Sequence, residues 1–442
     1  MNRWAQLDPR SLALFRIVLG CFVLLDTLLR LPYLNDFMTD QGVYSRIDMT
    51  SSPFADYWLC FHLGSGNLVG QVVLSGLLLL LALGVVVGYR TPWMVFGCWV
   101  MLNSLHARNP FIGDRGDLQL ALLFFWAMFL PLGEVYSLDS RKGRTCWGWR
   151  NGVPVAGLVT QFASIYLFSA LLKTGDFWLA RGDGLKFSLL SPIFSTDLSA
   201  FLLNLGDPTL RMLNYSVIAG ELFLGLLLLC PVMVPICRSL AVCLLFIFHI
   251  AVFFLFSLGF FPLLGALTPL VLLPGEFWAK ISRSTEPLPS GVLSAPPKPV
   301  QALCAAFIVL GFLSNLESVL GPSWQRPRAV TKLTDILKLS QHWELFSPLP
   351  PINGHFRLIS VGPDGEKILF EGPPFPTHRW KMLMLTTIYP EFSFLREKTA
   401  RTLARKLDAD HNGKLRYSFV LNPISEKGTF QRPVIQSLWV EQ

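Results

Sequence analysis

Residues 69–88 read VGQVVLSGLLLLLALGVVVG, twenty positions without one charged side chain. A helix rises 1.5 Å per residue, so about 20 such residues match the ~30 Å hydrocarbon core of a bilayer. Runs of the same kind recur at 11–30, 92–107, 117–134, 153–173, 210–231, 236–256, 257–273 and 300–320. The third and eighth are short, which gives eight or nine spans. Composition agrees: 52% of residues are hydrophobic and 15% charged, against roughly 25% charged in globular proteins. Such a chain is neither disordered nor a nucleic-acid-binding module. The first run carries Arg16 and Asp26 and has no small-residue cleavage site after Leu31, so it is expected to stay in the membrane.

The polar minority is unevenly placed. Residues 321–442 hold 17 Lys/Arg and 11 Asp/Glu, and so carry +6 of the net charge of +8. The sequence therefore predicts an all-α polytopic membrane bundle over 1–320 and a small α+β, β-rich extramembrane domain over 321–442. A Pro-rich linker at 284–299 interrupts the bundle. Strands are predicted at 354–361, 367–371, 414–421 and 433–440, with an amphipathic helix at 391–407. With the N-terminus inside, basic residues divide 11 to 5 between the two sets of loops. That bias puts the N-terminus in the cytoplasm and, with nine spans, the tail on the opposite side.

All eight Cys precede residue 320, with no C-x-x-C and no zinc spacing. The stretch Asp408-Ala409-Asp410-His411-Asn412-Gly413 copies the start of a calcium loop, but its twelfth position is Phe419, where a bidentate acid is required. No metal is expected. A P-loop, G-x-S-x-G and H-E-x-x-H are also absent, and the two halves lack the symmetry of a transporter.

Ionisable groups inside apolar runs are costly and mark functional positions. Arg16, Asp26, Arg30, Asn103, His106, Lys173, Glu221 and His249 make up this polar set. Lys173 admits two readings. It reaches the outer interface with Trp178 as aromatic anchor, or it stands in an apolar pocket where the ammonium is disfavoured and the amine can take a proton. Glu221, near mid-span, is either protonated or faces a cation such as Arg16 or Lys173 across the bundle. His249, among Phe248, Ile250 and Phe253, reads either as a satisfied core histidine or as a pocket residue. The outer loop from Arg108 to Asp117 is either an ion-pair network or the rim of a ligand entrance.

Several segments in order carry a likeness. They are Arg16 to Arg30 with Asp40-Gln41-Gly42-Val43, Arg108-Asn109-Pro110 with Gly113-Asp114 and Asp117, and Pro131-Leu132-Gly133 with Tyr136-Ser137-Leu138-Asp139. Tyr166 to Trp178, Glu221, Phe248-His249 with Phe256 to Phe261, and Gln341 to Pro348 complete the series. Together they resemble the vitamin K-dependent γ-carboxylase-like membrane proteins, in the bacterial form grouped as the horizontally transferred transmembrane (HTTM) domain. The resemblance implies a bacterial inner-membrane protein with a periplasmic tail. It also implies a reduced quinone, of the vitamin K hydroquinone type, as cofactor. Oxygen and that hydroquinone generate a base that removes a γ-proton from glutamate in a peptide or protein substrate, and carbon dioxide then adds. The family's initiating lysine matches Lys173, with His249 beside it. Trp178, Glu221, Phe256, Arg108 and Asn109 are the expected quinone contacts. The family's second histidine, at the entrance of the fourth span, is replaced by Gly116 with Asp117 next to it, so Asp117 is the candidate for part of that role. The departure keeps open a non-catalytic alternative: an immunity, maturation or assembly factor binding lipid, quinone or a protein.

Overall fold

The computed structural model describes residues 3–51, 59–144, 148–282, 296–347, 354–362, 365–407, 414–421 and 434–439. Among these residues, nine helical segments follow the apolar runs: α1 (Pro9–Arg30), α2 (Leu68–Val87), α3 (Thr91–Arg108), α4 (Arg115–Ala127), α5 (Val153–Leu172), α6 (Asp207–Leu229), α7 (Val234–Leu255), α8 (Phe261–Leu267) and α9 (Lys298–Leu320). Each matches one of the apolar runs. Among the described residues, however, six helices are long and apolar enough to cross a membrane, or seven if a bent pair counts as one span. By this measure the expected eight or nine spans are not all reached, for three reasons. α3 carries Asn103, His106 and Arg108, which lower its hydropathy. α4 stops after 13 residues. The eighth run is helical only over Phe261–Leu272, and the chain then bends by 93° into Gly275–Ile281.

Short or not, the nine segments alternate between two ends of the bundle. At one end the N-terminal stretch bonds to the start of α5, through Gly152 N to Ala5 O at 2.9 Å. It bonds also to α7, through Arg238 Nη1 to Gln6 O at 2.6 Å, while Ser11 Oγ reaches Leu273 O at 2.7 Å after α8. The other end gathers the close of α1, the start of α4, the close of α5 and the close of α7. The chain beyond α9 packs there.

That chain begins with a surface helix, α10 (Arg328–Ile336). Four strands follow: β1 (Gly354–Gly362), β2 (Gly365–Gly372), β3 (Lys414–Leu421) and β4 (Val434–Trp439). They form an antiparallel sheet in the order β2-β1-β3-β4, close to the predicted strands. The predicted helix at 391–407 begins as a 3-10 turn, Pro390–Leu395, and becomes α-helical as α12 (Arg396–Lys406). A second helix, α11 (His378–Thr387), has no counterpart in the sequence reading. Phe356, Tyr417 and Phe419 share the sheet face that packs on these helices, and Tyr417 Oη meets Thr387 Oγ1 at 3.0 Å. The calcium-like stretch 408–413 and residues 284–295 of the Pro-rich segment lie outside the described residues.

Candidate functional site

Helical periodicity puts Tyr166, Ser169 and Lys173 on one face of α5, three and four residues apart. Lys173 closes the helix, and Gly175 (φ 79°) turns the chain into one π-helical turn, Asp176–Ala180. A left-handed φ favours glycine there. The turn folds Trp178 back over the lysine, with Nζ 5.3 Å from the ring centroid. Gly184 allows this approach, because a Cβ there would stand 2.4 Å from the Trp178 ring.

Lys173 is 3% exposed, so the amine is enclosed and not reaching into the interface. Its Nζ donates to Glu221 Oε2 at 2.7 Å and Oε1 at 2.9 Å, and to Ser169 Oγ at 2.8 Å. Ser169 Oγ in turn donates to Glu221 Oε1 at 3.1 Å. Of the two cations open to Glu221, the structure selects Lys173. Arg16 instead donates to the carbonyls of Leu132 at 3.0 Å and Tyr136 at 2.7 Å. One turn deeper, Tyr166 Oη lies 2.9 Å from His249 Nε2. His249 Nδ1 has no hydrogen-bond partner among the described residues. Gly265 makes room for this ring, since a Cβ there would lie 2.2 Å from it.

These groups line an apolar cavity of about 80 Å³ with Phe256, Phe261, Leu345 and Phe346. Beside it lies a vestibule of about 1050 Å³, lined by His106, Asp114, Asp117 and His378 among others. Leu258, Phe261, Leu345 and Phe346 line both spaces and form the partition. Phe346 holds a left-handed φ of 58°. Trp178 Nε1 donates to its carbonyl at 2.9 Å, and its ring rests on Phe256 with centroids 5.0 Å apart.

The vestibule wall is charged and cross-linked. Arg379 of α11 donates to Asp26 Oδ1 at 2.9 Å and Asp117 Oδ1 at 2.8 Å, and Arg30 reaches Asp117 Oδ1 at 2.7 Å. His106 Nε2 stands 3.5 Å from the same carboxylate. His378 Nε2 is 2.5 Å from Asp114 Oδ2. Burial and Asp117 oppose the charge on Asp114, yet Arg379 and His378 hold its carboxyl below the usual range. The outer loop is thus both an ion-pair network and a cavity rim.

The structure brings Lys173, Trp178, Glu221, His249 and Phe256 to one cavity and places Asp117 in the adjoining vestibule. Arg108 and Asn109 stand apart from both linings. Arg108 Nη1 donates to Tyr44 O at 2.8 Å and Asn109 Nδ2 to Phe37 O at 2.9 Å, which pins the loop after α1. His378, Arg379 and Phe346 escape the sequence reading. The first two lie on a helix it does not find, and Phe346 belongs to a motif quoted there only for its likeness.

A model of the HTTM domain family matches residues 4–276, a stretch that includes every residue facing the inner cavity from α5, α6 and α7. No curated protein and no solved structure matches the chain.

Proposed function

Because the chain belongs to the HTTM domain family, we propose that this multi-pass membrane protein is a carboxylase-like enzyme in which Lys173 is the base. A reduced quinone is its cofactor, and a peptide or protein carries the acceptor carbon. The Lys173–Glu221 pair on the cavity wall carries this reading. In an apolar enclosure, moving a proton from Nζ to the carboxylate exchanges two opposite charges for two neutral groups, at a cost that water would otherwise make prohibitive. The amine is then left with a lone pair beside the cavity. Ser169, bonded to both partners, is placed to pass that proton between them.

The lining suits a flat ring with a weakly acidic hydroxyl: an amine and a carboxylate at one pole, aromatic walls around it. When bound, a hydroquinone supplies that hydroxyl and the reducing electrons. The present cavity, about 80 Å³, is smaller than the ~150 Å³ that holds benzene in an engineered cavity. Admission of a ring therefore requires the partition at Phe346 to shift. We place the vestibule and the chain beyond α9 in the periplasm of a bacterial inner membrane and the N-terminus in the cytoplasm. The 11-to-5 division of basic loop residues and the alternation of the nine segments support this placement.

The decisive assay uses membranes given hydroquinone, oxygen, a glutamate-containing peptide and labelled bicarbonate. Turnover by the parent and its loss in Lys173→Met, with the protein still folded, is the expected result. No turnover by the parent removes the activity. One observation favours the non-catalytic alternative: every donor on Lys173 is already used within the chain. In that case Lys173→Met lowers stability and nothing else.

A further inference from the structure

The vestibule shares Arg115, Leu118, Asp335, Ser340 and Glu344 with a third space of about 630 Å³, which continues between α4, the last turns of α9 and α10. Arg115 therefore stands where the two spaces meet. The acids around it are already committed. Asp114 is held by His378 at 2.5 Å, Asp117 by Arg30 at 2.7 Å, Glu317 by Arg326 at 2.5 Å and Glu344 by His342 at 2.7 Å. Asp335 accepts from Ser340 Oγ. Arg115 itself makes no ion pair or hydrogen bond among the described residues, although its side chain is half-buried.

A guanidinium carries five donors in a rigid fork matched to phosphate or carboxylate oxygens. Glu344 and Asp114 act on the Arg115 guanidinium only through space, so it stays half-buried without a direct partner and with part of its hydration lost. A second cation, Lys338, lines the vestibule nearby. The position also has a lipid side. α10 follows α9 after a 3-10 turn, Gly321–Ser323, and exposes Arg328, Lys332 and Leu333, the composition of a helix lying in a membrane interface.

We propose that the groove at Arg115 binds a phosphate oxyanion, the phosphodiester of an anionic phospholipid in the interface along α10. The site is independent of the Lys173 chemistry and needs no turnover to be detected.

The test uses the full chain purified in a neutral detergent, incubated with phosphatidylglycerol or phosphatidylcholine and read by native mass spectrometry and by melting temperature. The parent is expected to retain phosphatidylglycerol in preference to phosphatidylcholine. Arg115→Gln should weaken that retention about tenfold, the scale of one charge-assisted hydrogen-bond pair, and Arg115→Lys should restore part of it. Inorganic phosphate forms a third arm. If it raises the melting temperature of the parent as much as the lipid does and displaces it, a soluble oxyanion is the occupant and the lipid assignment is overturned. Equal retention of both lipids by the parent overturns the proposal even if Arg115→Gln cannot be recovered folded.

Discussion

Nε2 of His378 lies 2.5 Å from Oδ2 of Asp114, and through this contact the chain beyond α9 becomes part of the vestibule wall. Next to it, Arg379 stands between the carboxylates of Asp26 and Asp117. The imidazole stands against Asp114, the N-cap of α4, two residues before Gly116, where the sequence shows no histidine. It comes from a position 264 residues later. An acid–base group can thus be supplied to one helix terminus by a distant part of the chain.

Arg379→Ala leaves Asp26, Asp114 and Asp117 facing one another with Arg30 as their remaining guanidinium partner. Breaking a buried charge pair from one side costs about 3–5 kcal/mol. We expect a lower melting temperature and faster proteolytic release of the segment beyond α9. Acid should act in the same direction. The folded value of Asp114 lies below its ordinary 3.8, so its stabilising contribution is complete above that pH and is lost as pH falls through the lower, folded value. Asp114→Asn should flatten this acid limb. An unchanged limb would show that Asp114 does not couple docking to pH.

Glu221→Gln strands an ammonium and Lys173→Met strands a carboxylate, so each alone should destabilise by about 3–5 kcal/mol. The double variant removes both charges and should cost less than either single change. Thermal unfolding in detergent for the four proteins gives the coupling directly. Simple additivity would mean that the two side chains do not act as a unit.

Phe346→Ala should join the two spaces. The ring rests on Phe256 and Phe194, with centroids 5.0 and 5.5 Å away, and Trp178 bonds the Phe346 carbonyl. Truncation costs about 3 kcal/mol of packing but should raise affinity for a bicyclic naphthoquinone several-fold, read as quenching of Trp178 fluorescence. Unaltered affinity would place the barrier elsewhere, at Leu345 or Phe261.

The Lys173 pocket is legible in the sequence because its parts are polar residues stranded in apolar runs, and burial leaves such residues few partners. Charge alone narrows the partner of Glu221 to Arg16 or Lys173, and the packing of α5 on α6 selects Lys173. The span count is less legible, since α3 and α4 are held by packing and ion pairs that hydropathy does not register. Of the vestibule, only the rim formed by the outer loop up to Asp117 is legible. Its wall needs α11, whose sequence HRWKMLMLTT buries Trp380, Leu383 and Met384 without a clean stripe. Arg108 and Asn109 mislead for the converse reason: buried polar residues beside a loop can serve its backbone as readily as a ligand.

Lys381 offers a further test of how the C-terminal part docks. It lies on α11, 2% exposed, with Nζ donating to the carbonyl of Ser257 and to Ser257 Oγ at 3.1 Å, and it stands 5.4 Å from the Phe194 ring. Burial lowers this amine from 10.5 to about 8. Between those two values the undocked chain holds a proton that the docked one releases, so stability should rise as pH climbs from about 8 toward 10.5. Below pH 8 the full penalty of the buried charge applies, on the order of 3 kcal/mol for such a shift. Lys381→Met keeps the stem and removes the charge. It should therefore be more stable than the parent at pH 7, and the difference should close near pH 10. Hydrogen exchange of α11 amides across that range reads the docking locally, and a variant that tracks the parent at every pH would assign the docking energy to Arg379 and His378 instead.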